Sequence, residues 1–590
     1  MRLADYIVDR LVDIGIDKVF LVTGRGALFL TDAVARNKNI SAICTHHEQS
    51  AAYAAVAHSQ YYNMTSACLV STGCASTNAV TGVLSAYQDG LPVVFISGQN
   101  TLRETTYFTK HSVRTYGQQE ANIVEIVKSI TKYAVTITDP STIRYNLEKA
   151  LYLANDGVKG PVWIDIPLDL QSAQIDPDNL KGFNEFTLSA QAHKSDIEYL
   201  EDCLNCSDRP VVLIGGGIRS AGVIDKFISF IDSNQIPVVY SASAPDVFSL
   251  SRNLSIGSLG SMGCSRAGAF AIQNSDCVLV LGNRLSSITT GPDYQKFARH
   301  AKIIVVDIDE AEHNKNDLKI DKIIVQDLKN FFDRLSNNRL TKDISGWVNK
   351  CLHWKETFVN ETNFESVDKI DLYQIIEELS TQLNDDAIII TDSGFIEVTL
   401  PTKLDYKTQR RAIHPISQGA MGFAIPAALG MSGVNKQVVV VVGDGSFMMN
   451  LQELESLRYN NVIVKILVLN NNVYSIIRRR QKELFRNRII GTDPSNGVSV
   501  PDFSKVANLF ELEYENISTP DQLNSKLSGV LNCEKSVLCE IVTTENQEYI
   551  EISHAKTSSG KYVRRPLEDQ WPFLDRSDFL KEMIIEPIDQ

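Results

Sequence analysis

Short β-branched runs alternate with helix-period stretches along the whole chain, the pattern of strands and crossover helices in parallel α/β sheets. The opening stretch sets Leu3, Tyr6, Ile7, Leu11 and Ile14 on one helical face, with Asp5, Asp9 and Asp13 between them. That spacing predicts an amphipathic helix over 1–19, and the acidic positions make it neither a signal nor a transit peptide. Strands are expected at Val19–Val22, Ser41–Thr45, Ala67–Ser71, Val93–Ser97 and Pro161–Pro167. A helix ends near Asn37 and another spans Glu48–Tyr62, with loops at Thr23–Gly26 and Gly73–Asn78. A second group of strands falls at Pro210–Ile214, Pro237–Tyr240, Cys277–Leu281 and Ile303–Asp307, and a third at Ala387–Thr391, Val438–Val442, Val462–Leu469 and Ser536–Val542. Residues 171–195 and 337–368 are polar and read as linkers. The expected fold is therefore α/β, with three doubly wound parallel-sheet domains at 1–170, 190–340 and 365–550. Residues 551–590 are a tail laid over the surface or over a neighbouring subunit.

Composition narrows the class. A chain of 590 residues with 44% apolar and 22% charged positions suits several soluble cores, which agrees with three domains. Lys and Arg number 57 against 71 Asp and Glu, a formal charge of −14 with no basic block. A phosphate-backbone partner, and so nucleic acid, is disfavoured. No uncharged apolar stretch is long enough to span a bilayer. Ten cysteines scattered mostly through apolar runs suit a reducing, cytoplasmic setting.

The strongest chemical signal lies in the third group. Gly443-Asp444-Gly445-Ser446 follows one strand, and Asn470-Asn471 closes the next after 24 intervening residues, room for one crossover helix. Asp444 and Asn471 then stand at the carboxyl ends of two strands, where open α/β sheets bind ligands. A carboxylate and an amide oxygen there are hard donors suited to Mg²⁺ or Ca²⁺ bridging a diphosphate. This arrangement resembles the thiamine-diphosphate motif. The resemblance implies that Asp444 and Asn471 bind Mg²⁺ by side chain and Val473 by its carbonyl, with Gly443, Gly445 and Ser446 beside the diphosphate.

A second signal, His46-His47-Glu48-Gln49, stands at a strand-to-helix junction. Glu48 sits where thiamine enzymes keep a glutamate against N1′ of the aminopyrimidine. There it favours the imino tautomer, whose 4′ nitrogen takes the proton from C2. The segment Ser71–Asn78, Gly98-Gln99, the Gln119-Glu120 segment, Ser129–Lys132 and Gln418–Phe423 are similar to acetohydroxyacid synthases across residues 1–550 at least. By that resemblance Glu48, Gln119 and Met421 are catalytic, Met421 holding the cofactor bent. Gly24, Gly73, Asn78, Gly394 and Gly419 join Met421 in binding it. The first domain would hold the pyrimidine and the third the diphosphate. The middle domain resembles the synthases' flavin domain: Gly215 and Gly216 follow a strand, Gly282-Asn283-Arg284 matches the family's G-x-R, and Asp307 faces the adenosine, implying FAD. The family builds its active sites between subunits, so a homodimer or homotetramer is expected.

Departures from the synthases bear on the substrate. Nine residues beyond Asn471 the synthases place a tryptophan, and this chain has Arg480. Arg25 enters the loop that the synthases write Y-P-G-G, and Phe395-Ile396-Glu397 replaces a Q-H-Q triplet. Guanidinium groups offer a fork for phosphate or carboxylate, so Arg25 and Arg480, with Lys132, are candidate substrate contacts. The segment Arg565–Leu574 resembles the tail of synthase-like enzymes of polysaccharide-sugar pathways. The nearest functional model there is the thiamine flavoenzyme of yersiniose biosynthesis, which moves an acetyl unit from pyruvate to a keto carbon of a CDP-dideoxysugar. The expected activity is carboligation: a 2-ketoacid such as pyruvate is decarboxylated and its two-carbon unit passes to a carbonyl acceptor, a keto-sugar nucleotide or, alternatively, a second 2-ketoacid.

Overall fold

Each of the three domains is built on a six-stranded, all-parallel sheet in the computed structural model, which describes all residues except 110–111, 185–192, 336–339, 360–368, 408, 558–559 and 589–590. The first sheet comprises β1 (Lys18–Leu21), β2 (Ser41–Cys44), β3 (Ser66–Val70), β4 (Val93–Gln99), β5 (Tyr133–Thr136) and β6 (Val162–Pro167). The second comprises β7 (Pro210–Ile214), β8 (Val238–Ser241), β9 (Ser255–Leu259), β10 (Cys277–Leu281), β11 (Lys302–Asp307) and β12 (Lys322–Val325). The third comprises β13 (Ile388–Thr391), β14 (Arg411–Ile413), β15 (Val438–Gly443), β16 (Lys465–Asn470), β17 (Glu513–Ile517) and β18 (Val537–Val542).

The strand orders are β2-β1-β3-β4-β6-β5, β12-β11-β10-β7-β8-β9 and β14-β13-β15-β16-β18-β17. The first and third sheets share one topology. In each, the chain runs outward from its first strand, returns, and continues on the other side. Crevices therefore open at the carboxyl ends of the β1/β3, β7/β10 and β13/β15 pairs, because the loops there leave in opposite directions.

The first and third domains share one apolar core. Its centre is the helix Glu48–Tyr62, in which Ala51, Ala52, Ala54, Ala55 and Ala57 are all fully buried. Their small side chains bring other backbones close. A Cβ on Gly82 would stand 2.3 Å from Ala52 Cβ, and one on Gly430 would stand 2.6 Å from the Ala54 carbonyl. The helix packs on its own sheet and on the helix Ala424–Leu429 of the third domain. It starts at His47, whose Nδ1 accepts the Gln49 N–H at 3.2 Å, and so fixes where Glu48 begins the first turn.

Several expected loops are ordered elements. Residues Cys74–Asn78 form a short helix where a loop was expected. The stretch 337–368 carries the helix Ser345–Thr357, whose Trp347, Cys351 and Trp354 enter the middle core; residues 337–339 and 360–368 lie outside the described residues. Of the first linker, 185–192 lie outside them too, while Ile175 packs into the first domain. The tail folds back on the middle domain of its own chain. Leu567 and Phe579 join that core, the buried Glu568 accepts Gln273 Nε2 at 2.6 Å and pairs with Arg299 at 2.7 Å, and Arg266 donates to the Gln570 and Pro572 carbonyls. Among the described residues no helix is long and apolar enough to cross a membrane.

Candidate active site

At the β1/β3 crevice the loops interlock through their glycines. A Cβ on Gly24 would stand 2.5 Å from Ser71 Oγ, and one on Gly73, whose φ is +64°, only 1.8 Å from the Gln119 carbonyl. Glu120 secures the loop after β4 by accepting the Thr106, Tyr116 and Gly117 N–H groups, and these hold its carboxyl below the usual range against its burial. Gln119 is left exposed, with a left-handed backbone. Asn78 Nδ2 donates to Glu48 Oε2 at 2.9 Å. Asn78 therefore holds one carboxylate oxygen of Glu48. Arg25 stands at the same edge, exposed, donating to Gln118 Oε1 at 2.8 Å.

Two carboxylates stand one residue beyond adjacent strands at the β13/β15 crevice. Asp444 Oδ1 accepts the Gly445 N–H at 2.7 Å and Oδ2 the Asn472 N–H at 2.6 Å. Asn471 Oδ1 accepts the Val473 N–H at 3.1 Å, and its Nδ2 donates to Ser475 Oγ. Asp444, Asn471 and Val473 thus converge in one cluster of turns. Burial pushes the Asp444 carboxyl up to about 6 although backbone N–H groups oppose it. It forms no ion pair among the described residues, so this desolvated oxygen set fits an Mg²⁺ ion. Asp392, which the sequence reading passed over, is fully buried and accepts the Ser393, Gly422 and Ala424 N–H groups. Its signal was its place directly after β13, the counterpart of Asp444 after β15.

The glycines of this crevice divide by role. Beside Gly443 and Gly394 a Cβ would meet nothing within 4 Å, so both border open space, and Gly394 has φ +113°. Gly445 is required for another reason: a Cβ there would lie 2.0 Å from the Tyr474 ring. Ser446 is buried behind Gly445 and bonds to the Asp392 carboxyl. Gly419, at φ +59°, turns the segment that leads to the half-buried Met421.

Within one chain, the segment around Glu48 is tied to the segment that follows the Asp444 loop. The His46 N–H reaches the buried Glu453 at 3.2 Å, Ser50 Oγ bonds Asn450 Oδ1, and Asn450 Nδ2 reaches Gln49. No hydrogen bond or ion pair among the described residues links Glu48 to Asp444 or Asn471.

Two of the three cationic substrate candidates are already committed. Arg480 donates to Glu483 and to the buried Glu551, both at 3.1 Å, and Arg479 shares Glu551. Lys132 lies at the amino edge of its sheet, where its Nζ donates to the Asp156 and Val158 carbonyls. It is not brought to the carboxyl edge. In the middle domain Gly215 and Gly217 press against Gly282, which alone accounts for their lack of side chains. The Gly216 N–H donates to Ser243 Oγ, Arg284 is exposed toward Gln88, and Asp307 lies 3.3 Å from His313 Nε2.

Three linked parallel sheets, with a glutamate past the carboxyl end of β2 in one and an Asp–Asn pair at the carboxyl ends of β15 and β16 in another, define a thiamine-dependent enzyme. The chain matches the N-terminal TPP binding, central and C-terminal TPP binding domains of thiamine pyrophosphate enzymes over residues 1–126, 197–335 and 392–541, and it belongs to that family. It is 29% identical over 575 residues to the acetolactate synthase large subunit of Lactococcus lactis, covering 96% of each chain. It is 30% identical to the chloroplastic acetolactate synthase 1 of Oryza sativa (93% and 85% covered) and 31% to the acetolactate synthase large subunit of Corynebacterium glutamicum (85% and 80%).

Proposed function

We propose that this enzyme is a thiamine-diphosphate- and Mg²⁺-dependent carboligase. It decarboxylates pyruvate or a related 2-ketoacid and passes the two-carbon unit to an anionic keto-sugar nucleotide. Thiamine diphosphate, when bound, supplies the electron sink for decarboxylation. Asp444, Asn471 and the Val473 carbonyl would hold Mg²⁺ against its diphosphate. Glu48, oriented by Asn78, would share a proton with the aminopyrimidine N1′ through its carboxylate, and Gln119 and Met421 would line the bent cofactor. The observation that carries the reading is the gathering of Asp444, Asn471 and Val473 in one cluster of turns at the carboxyl ends of β15 and β16. FAD in the middle domain is supported by the β7/β10 crevice and the exposed Arg284.

Arg25 carries the acceptor assignment, because among the described residues it forms no ion pair. A charged hydrogen bond from it is worth about 1.5–3 kcal/mol, or about 10- to 150-fold in affinity. Arg25→Ala should raise the KM for an anionic keto-sugar nucleotide by that factor, more than it changes CO₂ release. Efficient acetolactate formation from pyruvate alone, with keto-sugar nucleotides ignored, would show instead that the second 2-ketoacid is the acceptor. The engagement of Arg480 by Glu551 and the acetolactate synthase relatives favour that second reading.

The active form we propose is a homodimer or homotetramer with shared sites. The exposed Met448 and Met449 beside the Asp444 loop, and Leu28 beside the Gly24 loop, leave apolar surface at both half-sites for a partner to cover. Inactive Glu48→Gln and Asp444→Ala chains, mixed under subunit exchange, should regain activity. Proven exchange without recovery would place each site within one chain.

A further inference from the structure

Glu397 occupies the first turn of the helix Phe395–Lys403, directly after the β13 crevice. Its neighbours Phe395 and Ile396 turn into the apolar core. Glu397 turns the other way, toward the Gly419 turn. Its Oε2 and Oε1 lie 3.4 and 3.6 Å from where a Cβ on Gly419 would stand. The side chain is half-buried and makes no hydrogen bond or ion pair among the described residues.

Among the described residues the charged groups that act on it are two carboxyls from the surrounding elements. Asp392 approaches from the end of β13. Asp89 belongs to the first domain, where its Oδ1 accepts the Ser417 N–H at 3.0 Å and its buried Oδ2 has no hydrogen-bond partner among the described residues. Burial first, then Asp392 and Asp89, push the Glu397 carboxyl up to about 8. A neutral carboxyl in this setting keeps its proton at pH 7 and can give it up, as an acid with a pKa near the working pH should.

We propose that Glu397 is a proton donor of the carboligation step, acting on the acceptor's carbonyl oxygen beside the Gly419 turn; this rests on the carboligase reading. As the new C–C bond forms, the carbonyl π pair moves onto oxygen, and that oxygen takes the Glu397 proton. The carboxylate left behind is reprotonated by the hydroxyl of the transferred unit. As that hydroxyl becomes the product carbonyl, thiamine diphosphate, when bound, would take up the electron pair of the bond that releases the transferred unit. No proton is gained or lost overall.

The test is Glu397→Gln, which keeps size and neutrality but has no acidic proton. In the holoenzyme with pyruvate and acceptor, the ratio of ligated product to released CO₂ should fall by about 10²–10⁴-fold. Wild-type ligation should decline as pH rises through about 8, and the variant should lose that limb. A readout independent of turnover is carbon-13 NMR of the cofactor-free protein labelled at glutamate carboxyls. One resonance should titrate near 8 in the wild type and be absent from the variant. An unchanged product ratio and pH limb while wild type releases CO₂ would overturn the proposal alone, as would the absence of any carboxyl titrating above the ordinary range. A wild type that releases no CO₂ from pyruvate would overturn the carboligase reading and this proposal with it.

Discussion

Glu48→Gln should slow hydrogen–deuterium exchange at C2 of bound thiamine diphosphate by about 10²–10⁴-fold, the range for removing a positioned acid–base group. The substitution leaves the scaffold in place. The amide oxygen can still accept from Asn78 Nδ2, and the first turn is capped by His47, not by Glu48. What changes is the shared proton, because an amide cannot hold N1′ in the tautomer that frees the 4′ nitrogen. Exchange is read by acid quench and proton NMR of the released cofactor. Wild-type exchange in the variant, with cofactor still bound, would remove Glu48 from the chemistry.

Asp444→Ala should weaken thiamine diphosphate binding by more than the 10- to 100-fold typical of losing a residue that only supports a metal ligand. It removes the one carboxylate among the three expected donors, and with it the charge that would pair with Mg²⁺. The same change orphans the Gly445 and Asn472 N–H groups, which costs about 1–3 kcal/mol of stability. Asp444→Asn keeps one acceptor oxygen for those N–H groups and removes the charge, so comparing the two variants narrows the loss to the metal effect. Calorimetric titration with cofactor, with and without Mg²⁺, separates the two. Equal affinity in the variant and the wild type would show that the cluster holds no metal.

The central strands were legible because burial on both faces leaves runs such as Val438–Val442 almost purely apolar. The strands that escaped notice are all at sheet edges. β17 reads Glu-Tyr-Glu-Asn-Ile, and β5 is half-exposed along its length. β14 has three residues, and β12 begins with lysine. β9 is buried but contains Ser255, Gly257 and Ser258, small because Ser265 presses on Gly257. An edge strand buries less, so its pattern carries less of the signal.

The site divides along the same physical line. Asp444, Asn471 and Glu48 stand past strand ends as expected, because the apolar runs before them mark where the strands stop. Of the partners of Arg480 only Glu483 is local; Glu551 lies 71 residues away, and the Asp156 carbonyl that holds Lys132 lies 24 away, so no local pattern announces them. What sets Glu397 apart is burial together with the carboxyls of Asp392 and, from another domain, Asp89. Gly445 shows the converse: its motif position was plain, but the Tyr474 ring that excludes a side chain there was not.

The central claim is tested most directly by CO₂ release from carboxyl-labelled pyruvate. With thiamine diphosphate and Mg²⁺ both present, label should be released as CO₂, and release should stop when either is omitted or the metal is chelated. Label retained under every condition, with the cofactor demonstrably bound, would contradict the assignment of this enzyme to pyruvate decarboxylation.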